Sequence, residues 1–223
     1  MKTQAIFEFT NCAVKNFDFM EPFSLKVNKG EICLVESDND KFLSVFFQAL
    51  ATLIPLKGEF FFQGERIDLS DYTRLISLKR KIGFLGPSYA LLSNRSLIEN
   101  LQLMRLWEED SLEISMDDDF IEKCNDAGIY EFLHSRPAGL SEEIQRGTFI
   151  VREFLKMPEI FLLETPYLFA RGKIKHIFKK MLRAFYEKNI PVVYYSKTGF
   201  IPDFGITHII KIKNNKIEKR PVL

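Results

Sequence analysis

Apolar and polar residues alternate with a period of two at the start of the chain. Ile6-Phe7-Glu8-Phe9 and Phe23-Ser24-Leu25-Lys26-Val27 each read as a half-buried strand. Asn28-Lys29-Gly30-Glu31 reads as a turn, and Ile32-Cys33-Leu34-Val35 is a continuous apolar run, as a strand buried on both faces requires. A helix-like run over 45–53 follows and is stopped by Pro55. Phe60-Phe61-Phe62, bracketed by Gly58-Glu59 and Gln63-Gly64, is a short strand, and Ile82-Gly83-Phe84-Leu85 is another. From about Ser96 to Ser135 the period becomes mostly helical. Leu97, Asn100, Leu101, Met104 and Trp107 share helical spacing, and Asp117-Asp118-Asp119 places acid in a first turn, as the helix dipole favours. Ser141 caps a predicted helix over Glu142–Lys156 that ends before Pro158. Ile160-Phe161-Leu162-Leu163 and Pro191-Val192-Val193-Tyr194-Tyr195 are further buried strands, with a basic helix over 173–188 between them. The last pattern, Thr207 to Ile212 and Lys216 to Glu218 across Asn214-Asn215, is a hairpin with an Asn-Asn turn.

Antiparallel strands first and helix-separated apolar strands afterwards predict an α/β fold. It has an N-terminal antiparallel β subdomain, a mainly parallel core sheet and an inserted helical subdomain over about 88–145, all within a single domain over 1–223. The loop after the third strand then carries the chemical question. Strand, tight loop and helix is where nucleotide-binding proteins place a glycine-rich phosphate cradle. Here the loop reads Glu36-Ser37-Asp38-Asn39-Asp40-Lys41-Phe42-Leu43-Ser44, with no glycine between Gly30 and Gly58.

Composition narrows the alternatives. With 31 Lys+Arg against 30 Asp+Glu, the formal charge of +1 gives no reason to expect nucleic acid as a partner. Phe is heavily used, at 22 residues, whereas Gly is scarce at 11. Cys12, Cys33 and Cys124 are too few and too scattered to predict a disulfide framework or a zinc site, and a reducing, cytoplasmic compartment fits. His134, His176 and His208 share no metal-binding spacing. The start of the chain has no apolar stretch of signal-peptide length, and no window approaches the roughly 18 apolar residues of a membrane span. Lys173, Lys175, Lys179, Lys180 and Arg183 make a basic helix face, ordinarily a solvated one.

The order and spacing of the framework residues resemble the nucleotide-binding domain of ATP-binding cassette (ABC) transporters over nearly the whole chain. The run from Phe23 to Ile32 is similar to the strands before that family's phosphate loop. Pro55-Leu56-Lys57-Gly58-Glu59 with Gln63-Gly64 is similar to the segment after its helix. Lys81-Ile82-Gly83-Phe84-Leu85 leads into the glutamine-loop region, followed by Glu99-Asn100. Leu140-Ser141 opens the signature, with Arg152, Pro158 and Pro166 at the family's distances. The resemblance implies the P-loop NTPase-like ABC ATPase fold, a cytoplasmic domain peripheral to a membrane, a membrane permease partner, and pairing with a second ABC ATPase as a homodimer or heterodimer.

At the positions that do chemistry in that family, this sequence departs. Counting back from Gly58 puts Phe42 at the phosphate-binding lysine, counting forward from Gly30 puts Leu43 there, and Lys41 reaches it only with a shifted gap. Pro87 matches the glutamine. The signature reads Leu140-Ser141-Glu142-Glu143-Ile144. The strand that should end in Asp-Glu-Pro ends Glu164-Thr165-Pro166, so a hydroxyl stands at the general base and Glu164 is the remaining candidate for Mg²⁺. Ser196 matches the histidine, and the D-loop aspartate falls near Arg171. Phe17, Lys41 and Ser44 are the candidates for a vestigial nucleotide site, Phe17 as the adenine platform. Glu36, Asp38 and Asp40 crowd the phosphate position, and two unit charges about 4 Å apart interact by about 4 kcal/mol at an effective dielectric near 20. The resulting expectation is a degenerate ABC ATPase-like subunit with no resident cofactor, acting as a structural or regulatory component. The alternatives are a genuine ATP-hydrolysing transporter subunit using ATP and Mg²⁺, and a sensor that binds nucleotide without hydrolysing it.

Overall fold

The computed structural model describes residues 5–15, 17, 21–87, 89–109, 116–196, 200 and 202–222. The chain begins with β1 (Ala5–Val14), β2 (Phe23–Asn28), β3 (Ile32–Ser37) and α1 (Asp40–Leu50). Then come β4 (Leu56–Phe62), β5 (Glu65–Ile67), α2 (Tyr72–Lys81) and β6 (Ile82–Leu85). Helices α3 (Leu97–Glu109) and α4 (Asp118–Asp126) precede α5 (Glu142–Lys156). The rest is β7 (Ile160–Leu163), α6 (Lys175–Glu187), β8 (Val192–Tyr195), β9 (His208–Lys213) and β10 (Lys216–Pro221).

Two sheets result. The smaller, ordered β2-β1-β4-β5, is antiparallel throughout. The larger, ordered β10-β9-β3-β8-β7-β6, is parallel except for the β9–β10 hairpin. That hairpin turns through Asn214 (φ 50°) and Asn215 (φ 63°), the left-handed pair its tight turn needs.

The continuous apolar runs have a direct cause. Along β7, Ile160 and Leu162 join the core beneath the small sheet, while Phe161 and Leu163 join the core under α5 and α6. Both faces are buried, so alternation disappears. Phenylalanine fills the first core. Phe9 and Phe60 sit opposite each other on β1 and β4 and stack at 4.5 Å, and Phe42, Phe46 and Phe47 of α1 complete the layer.

Helix α1 differs from the sequence expectation at both ends. It starts at Asp40 rather than 45, because Asn39 caps it and the first turn already buries Phe42 and Leu43. It ends at Leu50 rather than near Ile54, because Thr52 turns left-handed (φ 52°). Helix α2 had no counterpart in the apolar pattern. Leu78 is its one fully buried side chain among those described, and Asp71 caps it through the Thr73 and Arg74 amides. Ser141 caps α5 through the Ile144 amide at 3.4 Å, as the sequence indicates.

Candidate functional site

Only Asp38 and Asn39 separate β3 from α1. A helix start offers free N–H groups, which is why phosphates collect there. In this chain the side chains take those groups. Asn39 Oδ1 accepts from the amides of Lys41 (3.0 Å) and Phe42 (3.1 Å), and Asn39 O accepts from Leu43 N at 3.0 Å. Ser37 Oγ accepts from Asn39 N and donates to Asn39 O, each at 3.1 Å, which closes the turn on itself.

The register question has a structural answer. Phe42 and Leu43, the two residues that counting places at the phosphate-binding lysine, are 1% and 4% exposed and point into the first core. Lys41 is exposed on the first turn of α1. Above the carboxyl ends of β3 and β8 lies a cavity of about 500 Å³ lined by Leu34, Val35, Ser37, Tyr195 and Ser196 together with Glu36, Asp38 and Asp40. In an open parallel sheet this is the position where ligands bind. Among the described residues, no lysine or arginine lines it.

Ser44, one turn into α1, meets Glu164 at the end of β7. The hydroxyl donates to the Glu164 carboxylate and accepts from Gln48 Nε2 at 3.2 Å. Glu164 is 5% exposed, and its own amide donates to Leu85 O at 2.8 Å. Burial pushes its pKa up to about 7, and the Ser44 hydrogen bond opposes that shift without cancelling it. A half-buried hydroxyl beside a carboxylate is a hard-oxygen corner of the type Mg²⁺ uses. Thr165 Oγ1 and Ser196 Oγ, at the positions matched to the general base and the histidine, are buried and have no hydrogen-bond partner among the described residues.

These side chains fit a magnesium triphosphate poorly. The helix-start amides are capped, three carboxylates line the phosphate side, and Ser44 with Glu164 is the one corner suited to the metal. Phe17 is partly buried against the first core. Pro87 is exposed after β6.

At the signature, the two carboxylates are used within the chain. Glu142 pairs with Arg146, and Glu143 Oε1 accepts the Lys173 amide at 2.6 Å. Gly172, beside it, has φ +66°, and a Cβ there would collide with Glu143 Oε1. The basic face of α6 is largely engaged: Lys180 pairs with Glu122 and Asp126, Lys179 with Asp203, and Arg183 with Glu187.

A second cavity, about 630 Å³, lies between the end of α1, α2, β6 and α5. Leu53, Ile76, Phe84, Tyr89, Leu92 and Leu103 give it an apolar lining, with Arg152, Glu153 and Lys156 on its α5 side. Tyr89, Ala90, Leu92 and Leu103 come from the segment that follows Pro87. The side chains of 104–109, which include Trp107, lie outside the described residues. No described helix is long and apolar enough to cross a membrane.

Sequence reasoning missed Asn39, although an Asn followed by an acid before an apolar helical run is a recognisable cap. It also missed the Ser44–Glu164 and Glu143–Lys173 contacts, which join segments far apart in the chain.

No family model matches the sequence. Curated relatives do. The chain is 27% identical over 156 residues to a phosphonates import ATP-binding protein of Lactobacillus delbrueckii subsp. bulgaricus, a match covering 66% of this chain and 60% of that protein. It is 26% identical over 208 residues to an ABC transporter ATP-binding protein of Thermotoga maritima, covering 87% and 83%. It is 24% identical over 202 residues to one from Methanocaldococcus jannaschii, covering 89% and 88%. Among solved structures, the dimeric ABC transporter cassette MJ0796 superposes with a TM-score of 0.78 at 18% identity, covering 97% of this chain and 99% of that one. An ATP-binding subunit of an ABC transporter superposes with a TM-score of 0.79 at 16% identity, covering 97% and 90%. The fold is that of the ABC ATPase cassettes, and the relatives support kinship of this chain with the ATP-binding domains of ABC transporters.

Proposed function

We propose that this chain is an ABC-type subunit that does not hydrolyse ATP and works as a structural or regulatory component beside a membrane permease or an active ABC ATPase. The observation that carries the reading is the phosphate-side cavity. Glu36, Asp38 and Asp40 line it, and Asn39 already occupies the amides that a phosphate would need. Hydrolysis in this fold needs a positioned water and stabilisation of charge on the transferred phosphoryl group. Thr165 offers a hydroxyl where a base is required, and no described lysine or arginine lines the cavity itself, Lys211 and Lys213 bordering the adjoining opening that shares Glu36 and Asp38.

The apolar groove beside Phe84, Tyr89 and Leu92 supports the docking half of the proposal, since a permease helix would bury its own apolar face there. Such a subunit is cytoplasmic and reaches the membrane only through its partner. The relatives' names include import of phosphonates and methionine and export of macrolides, so they favour no one transported substrate.

One observation favours the second reading, a working ATPase. Ser44 and Glu164 still meet, keeping a corner suited to Mg²⁺. Calorimetric titration with ATP and Mg²⁺, run beside a phosphate-release assay, separates the readings. The proposal expects neither saturable micromolar binding nor turnover. Binding with turnover overturns it, and binding without turnover makes the chain a nucleotide sensor.

A further inference from the structure

We infer that Glu31, Cys33 and His208 form a binding site for a single zinc ion, at the base of the large sheet and apart from the phosphate-side cavity. The sheet brings the three together. Cys33 and His208 are register partners on adjacent parallel strands, β3 and β9, so their side chains leave the same face. Glu31 precedes Cys33 by two positions and shares that face. The thiol, imidazole and carboxylate atoms all lie within 4.8 Å of one another. A tetrahedral zinc ion holds such donors about 3.5 Å apart, so closing the site takes a movement of about 1 Å.

The orientation of His208 gives the independent argument. Thr207 Oγ1 accepts from Ile32 N (2.8 Å) and lies 3.2 Å from Ile32 O, one of two acceptors within reach of its single proton. It also lies 2.9 Å from His208 Nδ1. In the tautomer that carries its proton on Nδ1, the ring donates to Thr207 Oγ1 and Nε2 presents its lone pair. Nε2 then faces Glu31 Oε1 at 3.6 Å, so two acceptors confront each other across the site. A cation between them would meet both, in addition to Lys219 on the other Glu31 oxygen and Asn28 Nδ2, which donates to Oε1 at 2.6 Å. Metal-bound histidines characteristically donate the other ring nitrogen to an oxygen, and Thr207 Oγ1 stands 2.9 Å from Nδ1 to accept it. Cys33 completes a borderline-soft donor set that suits zinc over Mg²⁺ or Ca²⁺.

Lys219 is the competitor. Its ammonium pairs with Glu31 and donates to Lys26 O at 2.7 Å. Burial works against the charged form of Glu31, but Lys219 and Asn28 outweigh it and hold the carboxyl below its ordinary value. Charge is balanced in either state. Without zinc, carboxylate and ammonium cancel. With zinc, the ion's two positive charges meet the Glu31 carboxylate and the Cys33 thiolate, the thiol proton leaves to solvent, and Lys219 swings outward. The metal must displace the Cys33 thiol proton, so affinity rises with pH.

The test is titration of the full chain with Co²⁺ as a spectroscopic probe, followed by displacement with Zn²⁺. Expected are one equivalent bound, a thiolate-to-cobalt charge-transfer band, and its loss on adding zinc. Cys33→Ser removes the band, whereas Cys12→Ser and Cys124→Ser keep it. Thr207→Val weakens zinc by about 10- to 100-fold, the usual effect of losing a histidine's supporting oxygen. Lys219→Met tightens it. Circular dichroism of each variant checks that the fold is kept. Absence of a thiolate band in the wild-type chain overturns the site. So does a band that survives Cys33→Ser and disappears with Cys12→Ser or Cys124→Ser.

Discussion

The side-chain oxygen of Asn39 accepts the amide proton of Phe42 at 3.1 Å. Through this contact the chain satisfies a helix start internally where its structural neighbours are ATP-binding cassettes. Because Phe42 is held by that cap on one side and buried in the phenylalanine core on the other, the turn is fixed in place.

The cap should be worth measurable stability. Asn39→Ala is expected to destabilise the chain by about 0.5–2 kcal/mol. At this size that lowers the midpoint of thermal unfolding by about 2–4 °C per kcal/mol. An unchanged midpoint would mean that the Lys41 and Phe42 amides find equivalent partners without Asn39.

The three cavity carboxylates are expected to repel phosphate. Replacing them together, Glu36→Gln, Asp38→Asn and Asp40→Asn, should raise affinity for a triphosphate by at least about tenfold, measured calorimetrically at constant ionic strength. An unchanged affinity would assign the closed site to the Asn39 cap alone.

Glu164 makes stability depend on pH. Its folded pKa of about 7 lies above the ordinary glutamate value of 4.5, so the native state favours the protonated form. That contribution is fully present below about pH 4.5 and is lost as pH rises through 7. Glu164→Gln should therefore stabilise the chain by on the order of 2 kcal/mol at pH 8, allowing for solvent screening, and by close to nothing near pH 4.5. Denaturant midpoints of both proteins across this range test it, and a constant difference would rule out titration as the cause.

Thr165 carries a buried hydroxyl without a partner among the described residues. Leaving such a group unpaired costs about 1–3 kcal/mol. Thr165→Val, close in shape, should raise the unfolding midpoint. A lower midpoint would show that the hydroxyl is satisfied in solution.

Gly172 and Glu143 lock the start of α5 to the segment before α6. Gly172→Ala must adopt φ near +66° and displace Glu143. The left-handed backbone alone costs about 1–2 kcal/mol. Adding Glu143→Ala should relieve the collision but not the backbone strain, so the two effects should not add. Strict additivity in the double-mutant cycle would deny the contact.

Much of the architecture is legible in the chain because its causes are local. The Asn214-Asn215 turn, the Ser141 cap and the runs around Leu162 and Val193 each follow from backbone conformation or burial within a few residues. Helix α2 was not legible, since Leu78 is its one fully buried described side chain and its N-terminal cap, Asp71, is polar. The start of α1 was misplaced because Phe42 and Leu43 follow a charged loop, and only the sheet above them shows that they belong to the core.

By itself the sequence determined which residues stand at each candidate position. It established that no glycine lies between Gly30 and Gly58, and that Glu164, Thr165 and Ser196 close the core strands. Tertiary structure alone decided which of these meet. It turned Phe42 inward and Lys41 outward, placed Ser44 on Glu164, and set Cys33 beside His208 although the sequence spacing of neither suggested a metal site. The reason is physical. A side chain's face follows from local periodicity, but its neighbour across a sheet follows from strand order and register, which depend on the packing of the whole chain.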